Sequence, residues 1–259
     1  MTTNNSILLR SSNIVAFVIT VIVNGLAGST TLLGGVNTAE ISDLNPTLIT
    51  PAGYVFSIWG IIYVLLGLFV IFQALPSQKE KEYQKQIGWL FVLSSIINIV
   101  WLFLWQYKLL SASLILMFLL LATLVLIYTR LGIGKSQVTL QEKLSIHTPF
   151  SVYLGWITIA TIANVSVTMV SANWDGFGIN SEIWATLVVI VALLITLLVL
   201  STRRDIAYSL VIIWALIGIA VKQSENQNIV TLTEATAIIV FLALVGIILL
   251  SKLKKQKKN

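Results

Sequence analysis

Residues 52–75, AGYVFSIWGIIYVLLGLFVIFQAL, run for 24 positions without one charged side chain. A helix rising 1.5 Å per residue needs about 20 such residues to cross a hydrocarbon core of about 30 Å. Windows of about 19 residues find seven more apolar stretches. They lie at approximately 13–35, 87–106, 109–131, 147–171, 183–202, 205–222 and 229–251. Composition agrees, with 57% hydrophobic residues, 10% charged and a mean hydropathy of +0.94. A soluble domain carries roughly 25% charged residues. The reading is an all-α integral membrane protein with eight transmembrane helices. The longest intervening segments, 36–51, 76–86, 132–146 and 172–182, are too short to hold a soluble catalytic or nucleic-acid module.

Charge placement orients the helices. With the N-terminus cytoplasmic, the inner side receives Arg10, the lysines at 79, 81 and 85, then Arg130, Lys135 and Lys143. Arg203, Arg204 and five lysines of the tail 252–259 follow. Only Lys108 and Lys222 fall outside, and the outer loops carry Glu40, Asp43, Asp175, Glu182 and Glu225. This positive-inside pattern expects both termini in the cytoplasm. It also makes the tight junctions at Gln106-Tyr107-Lys108 and Arg203-Arg204-Asp205 turns, because fusing either pair of helices would scramble the pattern. The first stretch reads as a retained helix, its apolar run being long for a secretory signal. The net charge of +6 is a topology signal, so no nucleic-acid partner is expected, and the basic tail suits anionic lipid.

Several chemistries are excluded. There is no cysteine and one histidine, His147, so thiolate metal sites, iron–sulfur clusters and paired histidine ligation are unavailable. A charge at the bilayer centre costs about 2.5–3.5 kcal/mol on insertion scales. The ionisable candidates for a relay, His147, Asp205 and Glu234, stand at helix ends and are expected to be solvated there by headgroups. No nucleophile with a base and no metal cluster emerges, so neither catalysis nor a cofactor is expected.

What the helices do carry is tryptophan and asparagine. Trp89, Trp105, Trp174 and Trp184 lie near expected ends and suit an interfacial aromatic belt. Trp59, Trp101, Trp156 and Trp214 lie deeper. Asn24, Asn98 and Asn164 fall within spans, where an amide needs partners; helix–helix bonding is one reading. Asn98 and Trp101 share a helical face at i, i+3, and Trp156, Ala160 and Asn164 share another at i, i+4, i+8, with Tyr153 on the same side. Such faces suit a planar apolar ligand with few polar groups, and equally a packing interface.

The stretch Pro46-Thr-Leu-Ile-Thr-Pro51-Ala-Gly-Tyr-Val-Phe-Ser-Ile-Trp59-Gly-Ile-Ile-Tyr63 resembles the signature of the TspO/MBR family, the tryptophan-rich sensory proteins. Asn98-Ile-Val-Trp101 is similar to that family's N-x-x-W. Tyr153-x-x-Trp156-x-x-x-Ala160-x-x-x-Asn164 is similar to its motif on the fifth helix. The resemblance covers roughly 13–170. It implies a five-helix bundle over residues 1–171, here followed by three additional helices over 172–251 and the basic cytoplasmic tail 252–259. By matched position it implies ligand-binding or framework roles for Pro51, Trp59, Tyr63, Asn98, Trp101, Tyr153, Trp156, Ala160 and Asn164. Tyr54 joins them beside Gly53, where the family has tryptophan. The family's loop tryptophan falls on Leu48, the first proline of its pair on Thr50, and an acidic residue of its fourth helix on Met117.

The resemblance implies a membrane-embedded binding or sensory protein for a hydrophobic or planar ligand, tetrapyrrole- or sterol-like, with porphyrin the type ligand and a homodimer the common state. A transporter moving such a ligand is the alternative. The lipid bilayer is the expected surrounding, taken as a bacterial cytoplasmic membrane.

Overall fold

A computed structural model describes residues 3–256. Met1, Thr2 and the last three positions of the basic tail, Lys257, Lys258 and Asn259, lie outside the described residues. Among the described residues every regular element is helical. The eight principal helices are α1 (Thr3–Ser29), α2 (Ile58–Ala74), α3 (Leu90–Gln106), α4 (Leu110–Arg130), α5 (Thr148–Ser171), α6 (Ser181–Arg203), α7 (Ile206–Lys222) and α8 (Gln227–Gln256). Six helical segments have the length and apolarity to cross a membrane, and two apolar helices, α3 and α7, are shorter. Each of these two has 17 residues, which rise about 26 Å.

The junctions are set by backbone, as the charge pattern requires. Lys108 (φ 60°) and Arg204 (φ 52°) adopt the left-handed conformation that commonly ends a helix. Each reverses the chain within a few residues, separating α3 from α4 and α6 from α7. The ends differ from the hydropathy reading at several helices: α1 begins earlier, at Thr3, α2 is preceded by a 3-10 turn over Gly53–Ser57, and α8 runs on to Gln256. The first helix stops at Ser29, and residues 30–36 turn outside it. Pro149 sits in the first turn of α5, preceded by a π-helical turn over Lys143–His147.

Contacts join like ends. Arg10 of α1 donates to the carbonyl of Ala74 at the end of α2. Tyr128 near the end of α4 meets Asp205 at the start of α7. Glu182 at the start of α6 accepts from Asn226 and Asn228 at the start of α8. Helices α3, α4 and α5 pack in series, α1 lies against α2 and α3, and α6, α7 and α8 pack together. Helix α7 also packs on α5. There Gly155 permits close approach: a Cβ on it would stand 3.1 Å from Val211 Cβ and 3.2 Å from the Tyr208 carbonyl oxygen.

Two of the end-placed ionisable groups depart from expectation. Asp205 and His147 are buried, at 7% and 8% exposure, where solvation by headgroups was expected. Asp205 caps α7 by accepting from the Tyr208 amide at 3.1 Å, and takes further bonds from Tyr128 Oη at 2.9 Å and Ser151 Oγ at 2.6 Å. Three donors replace the water that the carboxylate gives up, which is why it is buried without a counter-ion. His147 is enclosed because the π-helical turn directs it inward with Ser145 and Ile146. Glu234 is exposed.

Candidate functional site

A cavity lined largely by tryptophan lies among α2, α3, α5 and the first loop. Its wall comprises Pro51, Trp59, Trp101, Trp156, Ala160 and Asn164, together with Thr38, Ser42, Phe56, Trp105, Ile159 and Ala163. Helical spacing explains how it is built. Trp101 and Trp105 are one turn apart on α3 and stack with centroids 5.9 Å apart. Trp156, Ile159, Ala160, Ala163 and Asn164 form one stripe of α5.

Trp59 is the hub. It stacks on Tyr63 at 5.7 Å, leans on Trp101 at 6.2 Å, and meets Tyr153 and Trp156 edge-on at 6.1 and 6.2 Å. Offset and edge-to-face arrangements of this kind are the favourable ones for aromatic pairs.

The amides hold these walls in register. Asn24 Nδ2 donates to Asn98 Oδ1 at 2.8 Å, tying α1 to α3. Trp101 Nε1 donates to Asn164 Oδ1 at 3.1 Å, tying α3 to α5. These three asparagines therefore bond across helices. Asn164 does so while also lining the cavity.

Among the residues on or behind this wall, three donors have no acceptor. Trp156 Nε1, Asn98 Nδ2 and Tyr63 Oη are buried and unpaired. Trp156 is itself on the cavity wall and only 2% exposed. The cavity volume is about 30 Å³, room for a water molecule or two. Drug-sized ligands occupy pockets of about 300–1,000 Å³, so the site is closed in this state.

Of the ten residues singled out from sequence, Pro51, Trp59, Trp101, Trp156, Ala160 and Asn164 lie on the wall. Tyr63, Asn98 and Tyr153 stand behind it, the two tyrosines in contact with the Trp59 ring. Tyr54 does not reach the cavity. It is 46% exposed and packs edge-on against Trp214 of α7 at 5.3 Å.

Trp105 requires a correction. Assigned to the interfacial belt, it is 4% exposed and donates through Nε1 to the Thr38 carbonyl at 3.1 Å. Its position one turn from Trp101 was the available signal, as was that of Phe56 three residues before Trp59. Thr38 and Ser42 had no such signal, for they reach the cavity only because the short helix Thr38–Leu44 folds over its mouth. That helix begins at a capping box in which Asn37 accepts from the Glu40 amide and Glu40 accepts from the Asn37 amide.

No group of three metal-ligating side chains exists among the described residues. Asp205, the one buried carboxylate described above, has its oxygens occupied by Tyr128, Ser151 and the Tyr208 amide. The chemistry on offer is binding, through aromatic faces and a few directed donors.

No curated protein and no solved structure matches the chain. A family model described as TSPO-like protein does match, over residues 8–249. That span takes in α6, α7 and most of α8 as well as the first five helices. Multiple apolar helices make the chain an integral, multi-pass membrane protein, and with a match of this extent it belongs to the TSPO-like protein family.

Proposed function

We propose that the tryptophan-lined cavity binds a planar, largely apolar small molecule, tetrapyrrole- or sterol-like, that carries a hydrogen-bond acceptor. The protein on this reading is a membrane-embedded binding or sensory protein. Membership of the TSPO-like family supports the general role.

The observation that carries the ligand class is Trp156, a residue of the cavity wall whose indole N–H is buried without an acceptor. Leaving such a donor unpaired costs about 1–3 kcal/mol. A carbonyl, carboxylate or ring nitrogen on a ligand would remove that cost. Trp59, Trp101 and Trp105 supply flat apolar surface, and Ala160 and Ala163 leave room on the α5 side. The aromatic loop positions of the family resemblance carry Leu48 and Thr50 here, so less aromatic surface is available from the loop than from the helices.

The test is a tryptophan-fluorescence titration of the purified protein with protoporphyrin IX, beside Trp156→Phe, which keeps an aromatic ring and deletes the donor. Saturable quenching is expected, with affinity weakened about tenfold in the variant, the factor equivalent to one hydrogen bond. Equal affinity in the two proteins would refute the donor role. Absence of quenching by folded wild type would remove tetrapyrroles from the ligand class. Flux of the probe in proteoliposomes would turn the binding reading into one of transport.

A further inference from the structure

Helix α7 contributes nothing to the cavity wall, yet it grips the loop that closes the cavity. The grip has two parts. The first is close packing at Gly218. The Ala52 amide donates to the Gly218 carbonyl at 3.0 Å. A Cβ on Gly218 would fall 2.1 Å from Val55 Cγ2 and 3.3 Å from Pro51 Cβ, so glycine alone fits against this loop. Trp214 Nε1 donates to the Val55 carbonyl at 3.3 Å.

The second part lies at the outer end of α7. Lys222 Nζ meets Asp43 Oδ1 at 2.7 Å, with the two side chains 38% and 46% exposed. Gln223 Nε2 donates to the Thr47 carbonyl at 2.9 Å. Asp43 follows Ser42 directly in the short helix Thr38–Leu44, and Ser42 and Thr38 of that helix line the cavity. The same helix is held from the opposite side by Trp105 Nε1 on the Thr38 carbonyl.

We propose that α7 is a latch on a lid: Gly218 is its fixed anchor, and the Lys222–Asp43 and Gln223–Thr47 contacts are a releasable clasp over the helix Thr38–Leu44. This rests on the reading of the cavity as a ligand site. A cavity of about 30 Å³ admits nothing larger than water until part of its wall withdraws. The other walls are long helices packed along their lengths, whereas the short helix has seven residues, is seated through Thr38, Ile41 and Ser42, and meets α7 through Asp43. The clasp is an exposed ion pair, weak and screened by salt, while the anchor is buried backbone and packing. Release therefore loosens the helix Thr38–Leu44 on its Asp43 side and lets residues 38–50 shift. Thr38 stays bonded to Trp105 and Ala27, and Pro51 and Val55 stay seated on α7. In this way α7 controls access to a cavity it does not line.

The chain has no cysteine, so Asp43→Cys with Lys222→Cys supplies the only thiol pair, bridged by a short bifunctional methanethiosulfonate that dithiothreitol reverses. Two quantities are read on the full chain: hydrogen exchange over residues 38–50 without ligand, and the association rate of protoporphyrin IX. Lys222→Ala is expected to raise both about two- to fivefold, the range a surface ion pair implies. The combined Asp43→Lys, Lys222→Asp swap should return both toward wild type. Bridging should suppress both, and dithiothreitol should restore them. Unchanged exchange over 38–50 in folded Lys222→Ala would overturn the latch. So would bridged protein that takes up the probe at the unbridged rate. If wild type binds no porphyrin, the exchange arm still decides the latch separately from the ligand reading.

Discussion

Around the cavity, α2, α3 and α5 bury aromatic rings and amides against one another, whereas α6 and α8 meet through small and aliphatic side chains. On α6 the buried residues are Ala185, Val189, Ala192, Thr196 and Leu200. On α8 they include Ile229, Thr233, Thr236, Ala237, Val240 and Leu244. The hydroxyls there bond their own helix: Thr196 to the Ala192 carbonyl, Thr233 to Ile229 and Thr236 to Leu232. Around the cavity, by contrast, amides and indoles in the packed interior bond across helices, and Trp156, Asn98 and Tyr63 keep unpaired donors. Among the described residues, side chains bridge α6 and α8 only at their N-terminal ends. In a membrane, close approach of small residues is enough to hold helices together. Unpaired polar groups are a cost that packing alone does not explain. The cavity falls among α2, α3, α5 and the first loop, while α6 and α8 form a separate packing region. Helix α7 belongs to both, seated on α5 through Gly155 and on the first loop through Gly218.

The contrast can be broken most severely at Trp156. Trp156→Ala should lower stability by about 3–5 kcal/mol, as for other large buried aromatics, and abolish porphyrin quenching. Thr196→Val on α6 should change neither, since it removes a hydroxyl bonded only within its own helix. Thermal unfolding in detergent measures both, and a comparable loss in the two variants would erase the distinction.

The joint between the regions comes next. Asp205→Ala removes a helix cap and leaves Tyr128 and Ser151 without their acceptor, at an expected cost of roughly 2–3 kcal/mol. Tyr128→Phe, losing one bond, should cost about 1 kcal/mol. Chemical denaturation of the two variants would show whether the carboxylate or the phenol holds the joint.

Asn98→Ala cuts the α1–α3 bond and should cost about 1–2 kcal/mol. Asn24→Ala should cost about the same, and the double variant little more than either, because one bond is shared. Additive losses would mean that each amide acts separately.

The smallest effect is expected at the N-terminal ends of α6 and α8, where Glu182 accepts from Asn226 and Asn228. Glu182→Gln should shift stability by less than about 1 kcal/mol and leave ligand binding untouched. A change in binding would tie this end of α6 and α8 to the cavity.

Much of the fold was legible along the chain, because hydrophobicity is a local property and a span of apolar residues reads the same whatever it packs against. The turns at Lys108 and Arg204 were legible for a related reason, since charges at helix ends must stay with water. The stripe Trp156, Ala160 and Asn164 followed from helical periodicity, and six of the ten selected residues stand on one cavity wall. Trp105 was misplaced because nearness to a helix end does not reveal which way a ring faces. Asp205 and His147 were misplaced because burial of a polar group depends on donors or turns that lie elsewhere in the chain or in the backbone.

By itself, then, the sequence determined the class, the apolar helices, their alternation and the aromatic character of the site. It did so through composition, charge placement and a 3.6-residue period, all properties of neighbouring residues. Only the tertiary structure decided that Thr38 and Ser42 line the cavity, that the Trp156 indole N–H is buried without an acceptor, and that Gly218 and Lys222 meet the first loop. Those facts join positions far apart in the chain, 179 residues in the case of Lys222 and Asp43. They depend on how each helix is rotated about its axis, which packing selects and no local pattern records.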